Sequence, residues 1–126
     1  LLKGGGGRDR LSGEAGNDVM TGGGHRDAFV FSAPLHRTLN VDTITDFRPG
    51  VDRILLDRDI FKAIGGALGP GEFVVGPAKD GNDHIIHAPS GGLLLYDANG
   101  NAAGGRTPFT KVTPGLALGP EDFAVI

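Results

Sequence analysis

Large apolar residues recur at a fixed interval along the first thirty positions. Leu11, Met20 and Phe29 stand nine residues apart, in step with Asp9, Asp18 and Asp27. Residues 4–30 divide into three consecutive nonapeptides, GGGGRDRLS, GEAGNDVMT and GGGHRDAFV. Against the pattern G-G-x-G-x-D-x-U-x, with U a large apolar residue, 13 of 15 specified positions match, and Glu14 and His25 are the exceptions. Each unit reads as a six-residue turn and a three-residue strand whose middle side chain points inward. The turn exposes carbonyl oxygens and needs positive φ, which glycine adopts without penalty. Two units complete one coil, so loops eighteen residues apart stack, with Asp9 and Asp27 on one side and Asp18 on the other. Three units are the practical minimum for a stack that cannot bury its faces singly.

The period breaks after FVFS (29–32), where Pro34 and His36-Arg37-Thr38 read as a loop. VDTITDF (41–47) then alternates polar and apolar residues as a half-buried strand does. RPGVD turns the chain, and RILL (53–56) reads as the next strand. DRDIFKAIG (57–65) predicts a short helix ending at Gly65. Further short strands are expected at FVV (73–75), HIIHA (84–88), LLLY (93–96) and FTKV (109–112), separated by Gly, Pro, Asn and Asp. The chain is therefore expected to be all-β, with one short helix.

Composition sharpens this picture. Glycine accounts for 23 of 126 residues, concentrated at the N-terminal end without a Gly-X-Y period, which excludes collagen. An apolar share of 39% with a net charge of −3 is too apolar for a wholly disordered chain. Lys and Arg form no stripe along the sequence, which argues against a nucleic-acid surface. No stretch reaches transmembrane length. Without cysteine there is neither a disulfide nor a thiolate site, and a metal is the natural alternative staple for a small domain. The opening Leu1-Leu2-Lys3-Gly4 is not a signal peptide, and it reads as a cut through a longer protein.

Twelve of the fifteen acids are Asp, a bias that suits turns and hard cations. Two stacked loops offer two carboxylates and several main-chain carbonyls, an all-oxygen cage. Six to eight oxygens suit calcium; magnesium demands stricter octahedral geometry, and zinc prefers His or Cys. A flexible Gly/Asp linker would lack an apolar residue in phase with the Asp, and all three units have one. His25 keeps the turn at some cost, since His is enriched at positive φ. Arg8 and Arg26, at free positions of the turns, are expected to weaken cation binding.

Outside the repeats, Asp42 and Asp46 sit four apart on an extended segment and so share a face. Either one closes a cation site on the Asp18 side, or both lie exposed on an edge strand. DANGN (97–101) begins like an EF-hand loop, but Ala102 and Pro108 stand where Gly and Glu are required, which favours a hairpin turn. His84 and His87, three apart on a strand, face opposite sides and make no zinc pair, and no H-E-x-x-H occurs.

Residues 4–30 resemble the hemolysin-type calcium-binding repeats of RTX proteins, whose fold is a parallel β-roll. The resemblance implies a calcium site from Gly5, Gly7 and Asp9 of one loop with Gly22, Gly24 and Asp27 of the next, the glycines acting through their carbonyls. It implies a second site using Asp18 with the carbonyls of Gly13 and Ala15, completed by a repeat upstream of residue 1. FVFS, VDTITDFRPGVDRILL, LLLYDANGN and LALGPEDFAVI, in that order, resemble the C-terminal domain of serralysin-type secreted proteins. The expected organisation is thus a β-roll of repeats over 1–31, then a mainly β cap over 32–126. Acids before a terminal apolar cluster, Glu121-Asp122-Phe123-Ala124-Val125-Ile126, resemble the signal read by the type I secretion apparatus, or form a final strand; both roles are compatible. The resemblance implies an extracellular, calcium-gated folding and export module of a larger exoprotein, with no stable membrane insertion. The repeats of such a module stay unfolded where calcium is scarce. The parent would be a zinc protease, lipase or epimerase with its catalytic domain upstream, or a structural adhesin. No catalytic motif is present in this segment.

Overall fold

In the computed structural model, the described residues are 2–14, 16–33, 41–62, 64, 68, 72–76, 84–88, 91–97 and 106–126. They wind into two sheets with the apolar side chains between them. Six short strands alternate between the sheets. β1 (Leu2–Lys3), β3 (Val19–Thr21) and β5 (Asp42–Ile44) lie parallel in one; β2 (Arg10–Ser12), β4 (Ala28–Phe31) and β6 (Arg53–Leu56) lie parallel in the other. This is a parallel β-roll.

The register fixes the pitch. Leu2 faces Met20 and Leu11 faces Phe29, one coil per 18 residues. Beyond the repeats Met20 faces Ile44 and Phe29 faces Ile54, so the coil lengthens to 24 and 25 residues without leaving the column. The roll also continues from strands distant in sequence. β10 (Arg106–Lys111) runs parallel to β5, and β11 (Phe123–Val125) runs parallel to β6. Between them in sequence come β7 (Phe73–Val75), β8 (Ile85–Ala88) and β9 (Leu93–Asp97), which widen the first sheet beyond β10. β9 is antiparallel to both β10 and β8. Pro108 donates no N–H, and the β9–β10 register shifts between Pro108 and Thr110.

Leu11, Met20, Phe29, Ile44 and Ile54 line the interior of the roll. Where the sheet widens, aromatic rings take over. Phe61 meets Phe109 at 5.2 Å and Tyr96 at 5.0 Å, and Phe31 meets Phe109 at 5.2 Å, all edge to face. Such pairs add to what burial of the rings already contributes.

The short helix expected over 57–65 is reduced to a turn in the described residues. The Phe61 N–H reaches the Asp57 carbonyl at 2.9 Å and the Asp59 N–H reaches Asp57 Oδ1 at 2.8 Å, and residues 57–62 form a turn in place of a helix. Gly65 and Gly66 come next in sequence, and a segment this short nucleates poorly against such neighbours. Phe61 and Ile64 are fully buried, so core packing fixes the turn. One 3-10 turn, Pro120–Asp122, precedes β11.

Candidate metal centre

Loops 4–9, 22–27 and 45–52 connect the first sheet to the second and stack on one side of the roll. Carboxylates tie each level to the one below. Asp27 Oδ1 accepts the Asp9 N–H at 2.9 Å, and Asp52 Oδ1 accepts the Asp27 N–H at 3.0 Å. On the opposite side Asp42 Oδ1 accepts the Asp18 N–H at 2.9 Å. Each bond uses one oxygen of the carboxylate. Oδ2 of Asp9, Asp18 and Asp27 is buried with no hydrogen-bond partner among the described residues. A buried, unsatisfied acceptor costs about 1–3 kcal/mol, more when charged. The three recur at the same position of successive repeats.

The repeat glycines divide into two kinds. A Cβ at the first glycine of each unit would collide with that unit's carboxylate: 2.4 Å from Asp9 Oδ2 at Gly4, 2.7 Å from Asp18 Oδ2 at Gly13, and 2.3 Å from Asp27 Oδ2 at Gly22. That position is glycine for space. The second and fourth positions are glycine for backbone: Gly5, Gly7, Gly16 and Gly23 have positive φ. The two departures from the pattern, Glu14 (φ 59°) and His25 (φ 68°), occupy those same places and adopt the same left-handed conformation. The turn survives both substitutions, as expected for His25.

Charge accumulates along the column. Burial raises the pKa of Asp27, and the neighbouring carboxylates of Asp52, Asp9 and Asp46 raise it further, against the lowering effect of the Asp9 N–H. Asp42 is pushed up to about 6, chiefly by burial, with Asp18 adding repulsion. Such groups call for a positive partner.

The expected ligands fall into place unevenly. Asp9 and Asp27 are joined directly, and the Gly5 carbonyl points up into the next loop, 2.2 Å from where a Gly23 Cβ would be. Gly22 packs against the Asp27 carboxylate; Gly7 and Gly24 lie exposed in the same two loops. On the other side Gly13 packs against Asp18, and Ala15 lies outside the described residues. Asp42 and Asp46 do not share a face. β5 ends at Ile44 and the chain bends, sending Asp42 to Asp18 and Asp46 to the opposite loops. Asp42 is 2% exposed on a strand flanked by β3 and β10, so it is no edge residue. Asp46 spends both oxygens on main chain, accepting the Gly22 N–H at 2.9 Å and the Gly23 N–H at 2.8 Å.

Asp52 and Arg48 had not been singled out. A signal for Asp52 was available: like Asp9, Asp18, Asp27 and Asp42, it stands two residues before a buried apolar residue, here Ile54. Clustering of the arginines was also invisible along the chain. Arg8, Arg10, Arg26 and Arg53 line one groove beside Asp9 and Asp27, which places positive charge near the candidate cage. The loop 97–101 falls mostly outside the described residues, although its flanks, β9 and β10, pair antiparallel. His84 is half-buried and donates through Nδ1 to the Asp97 carbonyl at 2.8 Å, while His87 is fully buried. Among the described residues no three His, Cys, Asp or Glu side chains converge as a metal site by themselves. A cation here depends on main-chain carbonyls as well as carboxylates.

Residues 1–31 match the family model of the RTX calcium-binding nonapeptide repeat, in four copies. The match falls on the N-terminal coils of the roll. Leu2, in register with Met20, holds the inward position of a unit before the three complete ones. The chain is also similar to the AlgE6R3 subunit of the mannuronan C5-epimerase of Azotobacter vinelandii, known from its solution structure, at 27% identity and a TM-score of 0.59. The match covers 98% of this chain and 66% of that one. No curated protein matches the chain. RTX nonapeptide repeats bind calcium, and the residues that match them, 1–31, form the first coils of the β-roll. Among the described residues no helix is long and apolar enough to cross a membrane.

Proposed function

We propose that this module folds when calcium arrives and serves the export of a larger secreted protein. The ion would sit between loops 4–9 and 22–27, held by Asp9 and Asp27 with the carbonyls of Gly5, Gly7, Gly22 and Gly24. A second level would use Asp18 and Asp42, with carbonyls of loop 13–18. One observation carries this reading: the Oδ2 atoms of Asp9, Asp18 and Asp27 are buried and unpartnered at the same place in successive units. Where calcium is scarce, the carboxylate column repels itself and the glycine turns cost entropy, so the repeats stay open. At the millimolar calcium outside cells, sites with Kd of about 10⁻⁴–10⁻³ M fill. Binding then becomes folding free energy, because the cage does not exist in the open chain.

The last residues take part in the same event. β11 adds to β6 as the last strand of the second sheet, and β10 adds to β5 and carries the first sheet onward. The segment 121–126 would be read by the type I secretion apparatus while extended, and become strand afterwards. Likeness to an epimerase subunit favours an exoenzyme as the parent, with the serralysin-like region acting as its cap.

Circular dichroism of the chain in EGTA and in ~10 mM calcium, well above the expected Kd, tests the folding step. More structure and a higher melting temperature are expected with the ion than without it, and identical spectra and melting curves would sink it. Fusing the last fifty or so residues to a reporter in a strain with a type I exporter tests the export step separately.

A further inference from the structure

Loop 45–52 stacks on loop 22–27 as that loop stacks on 4–9, yet it carries no glycine repeat. Side chains make its contacts downward. Arg48 Nη2 donates to the Gly23 carbonyl at 3.4 Å and to the His25 carbonyl. Gly23 and His25 are the second and fourth residues of their nonapeptide, the places Gly5 and Gly7 hold one coil below. Arg48 Nε also lies 3.8 Å from Oδ2 of Asp52, the third member of the Asp9–Asp27 column. One guanidinium thus meets the kind of oxygen set, two repeat carbonyls and a column carboxylate, that the level below offers to a cation.

The carboxylates tell the two levels apart. Oδ2 of Asp9 and of Asp27 has no partner. Oδ2 of Asp52 accepts the Arg48 main-chain N–H at 2.9 Å, in addition to facing the guanidinium. Asp46 finishes the closure from the same loop by taking the N–H groups of Gly22 and Gly23. Protein groups meet the upper face of loop 22–27 at Gly22, Gly23, His25 and Asp27, whereas the level beneath it holds carboxylate oxygens with no partner among the described residues.

We propose that Arg48 is a built-in cation standing where the next calcium ion of the stack would bind, so that residue 48 sets how many ions this side of the roll takes. The chemistry suits the exchange. A guanidinium is permanently charged, offers several N–H donors in a planar fork and accepts nothing, so it matches fixed carbonyl and carboxylate oxygens. It pins the uppermost glycine loop at any calcium concentration, giving the repeats below a permanent surface on which to stack. The inference rests on the calcium reading of the Asp9–Asp27 level.

Isothermal titration calorimetry of the 126-residue chain with calcium, comparing wild type with Arg48→Ala, tests it. The variant is expected to bind one more ion than wild type. In EGTA its melting temperature should fall below that of wild type, and ~10 mM calcium, well above the expected Kd, should restore it. An unchanged ion count in a variant that folds overturns the inference alone. A variant that stays unfolded at that calcium concentration overturns it too, because the ion should replace the guanidinium. A wild-type chain that binds no calcium at all removes the underlying cage reading and this inference with it.

Discussion

In the first 31 residues each full strand buries one or a few large side chains, beginning with Leu11 and Met20, and the loops between are glycine with an acid at the end. From Phe61 onward the chain buries Phe61, Ile85, Leu94, Phe109 and Val112 around an aromatic cluster, and its strands extend the same roll, β7 to β10 in the first sheet and β11 in the second. The two regions share a backbone path but differ in what holds it. Apolar area stabilises the second on its own terms, at about 25 cal/mol per Å² removed from water. In the first, the repeating feature is a carboxylate oxygen with no partner, and a cation has to supply what side-chain packing does not. Residues 45–52 lie at the seam, where Asp46, Arg48 and Asp52 replace ion contacts with protein ones.

The largest effect separates the two regions. Phe109 is fully buried and touches both Phe31 and Phe61. Phe109→Ala should cost about 3–5 kcal/mol, as large-to-small changes in an aromatic core do. Chemical denaturation should give the same loss in EGTA and in calcium. A loss that appeared only with the ion would merge the two regions into one metal-held unit.

Calcium itself comes next. At a hundredfold excess over Kd a single site adds about 2.7 kcal/mol, measurable as a shift in the denaturation midpoint. Asp9→Ala with Asp27→Ala should abolish most of that shift while leaving the chelated protein about as stable as wild type in EGTA. Gly22→Ala should act like the double change, because its methyl would enter the space of Asp27 Oδ2. Tight calcium binding by Gly22→Ala would mean that the oxygen is not aimed at the ion.

Acid should act on the two regions with opposite sign. His87 lies in β8 with neither ring nitrogen partnered, and burial lowers its pKa from the ordinary 6.5. The unfolded chain therefore binds the proton more readily, and stability falls as pH drops below about 6.5. For Asp42 the folded pKa of about 6 lies above the ordinary 3.8, and Asp27 shifts the same way. The Asp42 contribution in EGTA is fully present below about 3.8 and is lost as pH rises through about 6, and that of Asp27 is likewise lost as pH rises. His87→Leu should remove the first slope, leaving a chelated protein that gains stability on mild acidification. Melting curves between pH 4 and 7 in EGTA would refute this if the variant and wild type ran parallel.

Much of the repeat region was legible because its period is short and each position has one duty. Leu11, Met20 and Phe29 point inward as their spacing requires, and Asp9 pairs with Asp27 across 18 residues. What could not be read was the reason for the first glycine of each unit, which is set by a carboxylate folding back over it and so exists only in three dimensions. The Asp42 and Asp46 pair was legible only in part for a similar reason: Asp42 does reach Asp18, but Asp46 goes to the other side. Extended geometry was carried past Ile44, where the chain in fact bends. The return of β10 and β11 to the roll was hidden because parallel pairing between strands far apart in sequence leaves no local pattern.

The smallest expected effect probes how much strain the repeats tolerate. His25 has φ 68° at a place where Gly7, one coil below, has φ 83°. A residue with a Cβ in that conformation costs roughly 1–2 kcal/mol relative to the right-handed form, and glycine pays none of it. His25→Gly should therefore raise stability by about 1 kcal/mol, the lower end of that range, with the carbonyl that Arg48 holds left in place. In a metal-held region the gain should be felt before the ion binds, because an ordered apo loop makes calcium capture easier. The readout is a higher melting temperature in EGTA together with a lower calcium midpoint. A gain in melting temperature with no change in midpoint would mean that the turn is already formed without calcium, and that the ion clamps the loops after they have folded.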